Sequence, residues 1–471
     1  MSAALDPIRV ATRLSVGGRV ALVAVLLLLA GAGAGVGFVV VSGALDGHWY
    51  DFRDLGIPMA HLAGWLDEQT VAQPKLLHDA LGDRWLSYLV TALIGATGIL
   101  SFVGGVLLVL IWVERRLIGR IQVRRGPNRV GPFGLLQPVA DAIKLIQKEV
   151  LIPDGADRFM FYLPPILVFI PGLLVWAPLP WAPQMAYLDI NVGVLYLIAV
   201  GSLATLAIFM AGWSSNNHYA LLGAMRTVAM MISYEIPLSM ALLAVVLMTG
   251  TMQLSGIVQW QSEHNAWLGV LIPLAMLTFF FSSTAELNRT PNDIAEAESE
   301  IVAGFHTEYS GMKFGLFYAV ELGNAVAVGA FVATFFLGGW ALFGIERWIP
   351  PYLIFAVKVS AVYFVLVWLR GTLPRFRLDQ LMTFAWKYLI PLSLVQIVLV
   401  AIEAAAIERV HAPGIVVLGA VAAVNIVYAA WATRFWARFL GYHPESEQLL
   451  RPMLVTEVGG LNAAERMRAR P

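Results

Sequence analysis

The chain has 471 residues, 59% of them hydrophobic and 13% charged; that is too apolar to cover a water-facing surface, so its solvent is largely lipid. Its 31 basic and 31 acidic residues cancel to a net charge of +0, which leaves no electrostatic footprint for nucleic acid. With no cysteine the chain holds no thiolate-ligated iron–sulfur cluster, no cysteine zinc site and no disulfide, and its eight histidines are nowhere spaced as a helical metal pair, so any redox centre belongs to a partner.

In chain order, apolar runs long enough to cross ~30 Å of hydrocarbon lie at residues 20–41, 87–113, 159–180, 190–212, 227–249, 267–285, 314–338, 352–369, 388–407 and 414–433. They predict an all-α, polytopic bundle of about ten transmembrane helices. The first run follows Arg9, Arg13 and Arg19, so it reads as a retained helix or as a signal peptide; about 22 residues favour the helix. Its Gly31, Gly33, Gly35 and Gly37 contain GxxxG spacings for close helix packing. Residues 42–86 form a mixed-charge segment without a readable motif. When the connecting segments are assigned alternately to the two sides, 25 lysines and arginines fall on one side and 5 on the other, with Lys358 inside a span. By the positive-inside rule the richer side is cytoplasmic, and it holds both termini and two long charged loops.

The first loop, Glu114 to Glu149, reads ERRLIGRIQVRRGPNRVGPFGLLQPVADAIKLIQKE. Gly126-Pro127-Asn128 and Gly131-Pro132 are turn chemistry. From Leu135 a helix resumes, with Leu136, Val139, Ile143, Ile146 and Val150 on one face and Asp141, Lys144 and Lys148 on another. At about four turns it is too short to span, which predicts an amphipathic helix at the membrane surface. The arginines Arg115, Arg116, Arg120, Arg124, Arg125 and Arg129 serve topology or lipid headgroups on the plainest reading. Rigid Gly-Pro turns interleaved with Glu114 and Asp141 point instead to a shaped surface.

The second loop reads AELNRTPNDIAEAESEIVAGFHTEYSGM and sets Glu286, Asp293, Glu296, Glu298, Glu300 and Glu308 against Arg289. An acidic cytoplasmic loop runs against the positive-inside tendency, so a role beyond topology is expected. Thr290-Pro291-Asn292-Asp293 fits a capping box that opens a helix at Pro291. That helix would place Asp293, Glu296 and Glu300 on one side, where mutual repulsion raises at least one pKa. The spacing does not fit an EF-hand, and proton exchange is the better use.

Four charges fall inside spans at a cost of ~2.5 to 3.5 kcal/mol each: Glu235, Glu321, Lys358 and, near a helix end, Glu403. Arg226 precedes Glu235 by nine residues, about 13.5 Å along a helix. Glu321 and Lys358 lie on successive spans. They read either as a buried pair fixing helix packing or as members of a polar file that conducts protons, with the acidic loop at its mouth. Glu403 can simply snorkel.

These two loops, together with AMRTVAMMISYEIP and LRGTLPRFRLDQLM, resemble the H-type membrane subunit of proton-pumping NADH:quinone oxidoreductase, respiratory complex I. The resemblance runs from about residue 87 to 407. It divides the chain into an N-terminal extension (1–86), an eight-helix core (87–407) and an extra helix with a cytoplasmic tail (408–471). Asn292 stands where the family carries an aromatic residue. The resemblance implies a multi-pass protein of the cell inner membrane that forms the lower part of a ubiquinone or menaquinone tunnel. Its hydrophilic partner subunits carry the iron–sulfur clusters and flavin, and no cofactor is bound covalently here. By position, Glu114, Arg115, Arg124, Asp141, Arg289, Glu296 and Tyr318 would line the tunnel or its rim. Arg226, Glu235, Glu286, Asp293, Glu298, Glu300 and Glu321, with Lys358 in the file, would carry protons, and Arg370 and Asp379 would act as supports. The quinone headgroup would be reduced mainly against partner subunits, so no residue here is expected to be catalytic in its own right, and other subunits of the membrane arm are implied as further partners. A related membrane-bound hydrogenase or dehydrogenase could use the same kind of anchor. A secondary transporter is a poorer fit, since no repeated halves are visible.

Overall fold

A computed structural model of the chain describes residues 85–183, 186, 188–294, 301–409 and 414–439. The first apolar run, residues 42–84, the acids Glu296, Glu298 and Glu300, and the tail beyond residue 439 lie outside these. The described residues are helices joined by turns. Six helices among them are long and apolar enough to cross a membrane: 193–214, 218–249, 311–336, 351–372, 378–407 and 417–434.

Helix α1, Trp85–Ile121, has 37 residues, about 55 Å at helical rise. It therefore outruns ~30 Å of hydrocarbon and carries Glu114, Arg115 and Arg116 past the apolar run. The surface helix α2, Gln137–Gln147, starts with Pro138 in its first turn, where the missing N–H costs nothing. It ends one turn earlier than the apolar pattern suggested, with Val150 outside it. The turn leading into α2 passes through left-handed Gly131, Phe133 and Gly134 (φ +72°, +55°, +78°). A β-carbon on Gly134 would overlap the Pro127 carbonyl oxygen. Gly134→Ala is therefore expected to destabilise the loop by about 1–3 kcal/mol, read as faster proteolytic cutting between residues 121 and 137 in the purified protein.

Helices α3 (Arg158–Leu174), α4 (Gly193–Ser214) and α5 (His218–Thr249) follow. Asp157 caps α3 by accepting the Met160 N–H, and Asn217 caps α5 by accepting the Tyr219 N–H. Gly250 closes α5 in the left-handed conformation. The α5 helix begins nine residues before its apolar run, so Arg226 lies within it.

The run at 267–285 is broken. Leu254–Glu263 (α6) precedes the run and ends at a turn through Asn265 (φ +47°), while Leu268–Leu271 (α7) and Pro273–Glu286 (α8) are separate because Pro273 cannot donate and drives Ile272 out of helical geometry (φ −126°, ψ 63°). Buried Gln261 serves the freed backbone: its amide donates to Thr334 O at 3.1 Å and accepts Leu268 N–H at 3.1 Å.

Next come α9 (Gly311–Phe336), α10 (Pro351–Thr372), α11 (Leu378–Phe384), a π turn at Ala385–Leu389, α12 (Ile390–Arg409) and α13 (Gly414–Phe439). Lys358 on α10 does not reach Glu321. Its ammonium donates to the carbonyls of Leu337, Gly339 and Ala341 at 2.6, 2.9 and 2.6 Å, capping the exit of α9. Glu403 does not snorkel either. It is buried and accepts from the Asn425 amide on α13 at 2.9 and 2.7 Å, while Gln396 donates to Asn425 at 2.9 Å. The central packing runs α3 on α4, α4 on α5, α5 on α8 and α12, α3 on α9, α9 on α10, and α10 on α1. Small residues allow close approach, as where a β-carbon on Gly212 would run into the Ala224 side chain.

Candidate functional site

The two charged loops converge on Arg289. Three residues past the end of α8, its side chain is only 5% exposed. Its Nη1 donates to Glu114 Oε1 at 3.1 Å and its Nε to Glu321 Oε1 at 3.2 Å. Glu114, 3% exposed toward the loop end of α1, also accepts from Arg370 and from the Tyr363 hydroxyl on α10, the latter at 2.9 Å. Two carboxylates and two guanidinium groups thus balance in one cluster, with Glu114 and Arg289 buried and Glu321 and Arg370 partly exposed at its edges; such pairing is the condition under which charges tolerate loss of water. Burial alone would lower the Arg289 pKa, but Glu114 and Glu321 beside it hold it above the usual arginine range.

Near this cluster Arg115, the residue after Glu114, ties α1 to the surface helix: its Nη1 meets Asp141 Oδ2 at 2.5 Å. Gln137 donates to the other Asp141 oxygen at 3.2 Å. Partial burial would raise the Asp141 pKa, but the Arg115 hydrogen bond and charge bring it below the ordinary aspartate value. Arg124 stands apart on the exposed turn, donating to Gln122 at 2.7 Å.

Inward from Arg289 two adjoining cavities open, with about 70 and 100 Å³ of space reachable by the centre of a water molecule. Glu286, Glu321, Tyr318, His306, Asn288 and Asn324 line the first. Glu235, Glu286, Gly201 and Asn324 line the second, with apolar side chains around them. Glu286 belongs to both, so the carboxylates follow the order Glu321, Glu286, Glu235. Glu235 Oε1 accepts the Ser202 hydroxyl. Either cavity has room for several waters beside polar partners. Burial pushes the His306 imidazole down to about 4, so a neutral ring faces the first cavity at pH 7.

Asp293 has another partner. Its Oδ2 meets Arg375 at 2.8 Å, and Pro291 O accepts the Phe376 N–H at 3.0 Å, so the loop after α10 docks on the turn after α8. Residues 291–294 form a turn, not the opening of a helix: the Asn292 N–H bonds back to Arg289 O at 2.8 Å and the Ile294 N–H to Asn292 O at 2.9 Å.

Of the residues singled out from sequence, Glu114, Arg289 and Glu321 meet in one cluster, and Glu235, Glu286, Glu321 and Tyr318 meet around the cavities. Arg226 lines neither cavity, Asp293 is drawn to Arg375, and Lys358 sits at the opposite end of α9. Tyr363, Arg375, Ser202, His306 and Asn324 went unrecognised. A signal existed for Tyr363, which precedes Arg370 by seven residues, two turns on one helix face.

A sequence model described as NADH dehydrogenase matches residues 94–401. The H-type subunit of NADH-quinone oxidoreductase from Dehalococcoides mccartyi (strain CBDB1) is 49% identical over 323 residues, covering 69% of this chain and 88% of that protein. The proteins of the same name from Geobacillus kaustophilus and Rickettsia canadensis are 52% and 50% identical over 293 and 295 residues; each match covers 62% of this chain and 87% of the relative. Helices fit to cross a membrane, a match over more than half the chain and relatives near half identity lead to one conclusion: the chain is a membrane-embedded member of the NADH dehydrogenase family.

Proposed function

We propose that this chain is the membrane subunit of a proton-translocating NADH:quinone oxidoreductase that guides quinone between its two cytoplasmic loops and passes the effect of quinone reduction to protons in the membrane. The observation that carries this reading is the Arg289 guanidinium, bonded to Glu114 on one side and to Glu321 on the other. One cation thereby joins the loop surface to the file of buried carboxylates.

In this reading Glu114, Arg115, Arg124, Asp141, Arg289, Glu296 and Tyr318 line the tunnel or its rim, where α2 lies against α1 and α9. Protons pass by way of Glu321, Glu286 and Glu235 through water in the two cavities. Asp293, Glu298, Glu300 and Arg226 act at the cytoplasmic mouth, while Lys358 serves the fold. A negative charge arriving on reduced quinone competes with Glu114 and Glu321 for Arg289. Loosening the bond to Glu321 takes positive charge from that carboxylate, for which a proton is the cheapest replacement, whereas Glu114 keeps Arg370.

Electrons arrive through iron–sulfur clusters and flavin in partner subunits docked over the loops, with further membrane-arm subunits alongside. The chain sits in the cell inner membrane with both termini cytoplasmic. Its 87–407 core does the coupling, and residues 1–86 and 408–471 are additions.

The test of the tunnel is a quinone photoaffinity probe on the assembled complex. Labelled peptides are expected within residues 114–150 and 286–321. Labelling confined to distant helices would overturn the tunnel assignment.

A further inference from the structure

An asparagine in the middle of a membrane span brings an amide whose donors and acceptor lipid cannot serve. Packing serves two other amides in the bundle: Gln261 is bonded to Thr334 O and to the Leu268 N–H, and Asn425 accepts from Gln396 and donates to Glu403. It does not serve Asn324. This residue lies midway along α9, three positions past Glu321 and so on nearly the same helix face, and among the described residues its amide has no hydrogen bond to protein.

What the amide faces is the two cavities. Six residues line both: Val168, Ala204, Met231, Glu286, Leu287 and Asn324. Four of these are apolar, so Glu286 and Asn324 are the polar side chains where the cavities meet. Glu286 likewise has no hydrogen bond to protein among the described residues. A buried water needs about two to four polar partners, and an apolar constriction without them dries. Glu286 and Asn324 together reach the lower limit; Glu286 by itself does not.

We infer that Asn324 is a positioning residue of the proton path: its amide anchors water where the two cavities meet, so that Glu286 takes a proton from the Glu321 side and releases it on the Glu235 side. The inference rests on the proposed proton path and adds to it a residue that never carries the proton. At each handover a water accepts one proton and gives up another of its own, so only the position of the proton changes. An amide has no titrating proton, so Asn324 orients the water without trapping what it conducts.

Threonine and valine share a shape and differ in a hydroxyl. With rates taken per assembled complex in proteoliposomes, Asn324→Val is expected to lower NADH-driven proton pumping about fivefold or more, the factor that one hydrogen bond is worth in net terms. Asn324→Thr, whose hydroxyl both donates and accepts, is expected to stay within about twofold of the parent, less than the loss of a whole hydrogen bond. A residue that only fills space would respond to the two substitutions alike.

Pumping lost with valine and kept with threonine supports the inference. A threonine-to-valine ratio below about twofold, under the smallest net effect of a hydrogen bond, overturns it, whether both variants pump like the parent or both are impaired. If Asn324→Val does not assemble, Asn324→Ala against Asn324→Ser carries the same contrast and is read in the same way. Glu321→Gln separates the two levels. Intact pumping there removes the proton path itself; lost pumping there beside parental pumping in Asn324→Val removes only the role of Asn324.

Discussion

Glu235→Gln, Glu286→Gln and Glu321→Gln are each expected to lower proton-coupled quinone reduction by about 100-fold or more, the scale on which a positioned proton donor or acceptor contributes. Glutamine keeps the size of the side chain and most hydrogen bonds but cannot exchange a proton, so assembly survives while the relay is cut. The three carboxylates follow one another around two adjoining cavities. Glu403→Gln is the control, because that carboxylate is also buried yet is tied to Asn425 on α13, away from the cavities. Its expected pumping is parental. Intact pumping in assembled complex carrying Glu235→Gln or Glu321→Gln would falsify the proton file.

Removing the cation at the junction has a different outcome. Arg289→Leu deletes the partner of two carboxylates at once, one of them 3% exposed. Breaking a buried pair from one side costs about 3–5 kcal/mol, because the remaining charge is stranded. Arg370 and Tyr363 still serve Glu114, while Glu321 loses the Arg289 Nε. The expected result is a sharp drop in assembled complex and in its unfolding temperature. Parental yield and thermal stability in Arg289→Leu would show that the cluster is not a structural keystone. Arg289→Lys is expected to assemble, since charge is retained, but to keep only one of the two bonds.

Much of this architecture is legible along the chain because lipid acts on residues one stretch at a time. Hydropathy marks the long apolar helices α1, α3, α4, α5, α9, α10, α12 and α13 where they are described, but not the short α6 and α11. Even the surface helix α2 shows in the spacing of Leu136, Val139, Ile143 and Ile146. Local pattern misjudged the places where a distant partner outcompetes a neighbour. Thr290-Pro291-Asn292-Asp293 has the composition of a helix start, but residues 291–294 form a turn, and Arg375, 82 positions away, docks on it through Asp293. Lys358 looked like a partner for Glu321 on the adjacent span, yet three carbonyls at the end of α9 were nearer.

By itself the sequence determined that the protein is a membrane-embedded helical bundle, that two elaborated loops share one side of it, and that carboxylates are buried at real cost. Tertiary structure alone decided which charges meet. Glu114 and Arg289 are 175 residues apart and Glu114 and Arg370 are 256 apart, and no periodicity reaches that far. The physical reason is that a buried charge is stabilised by whatever counter-charge packing brings within about 3 Å, which is a property of neighbouring helices and not of neighbouring residues.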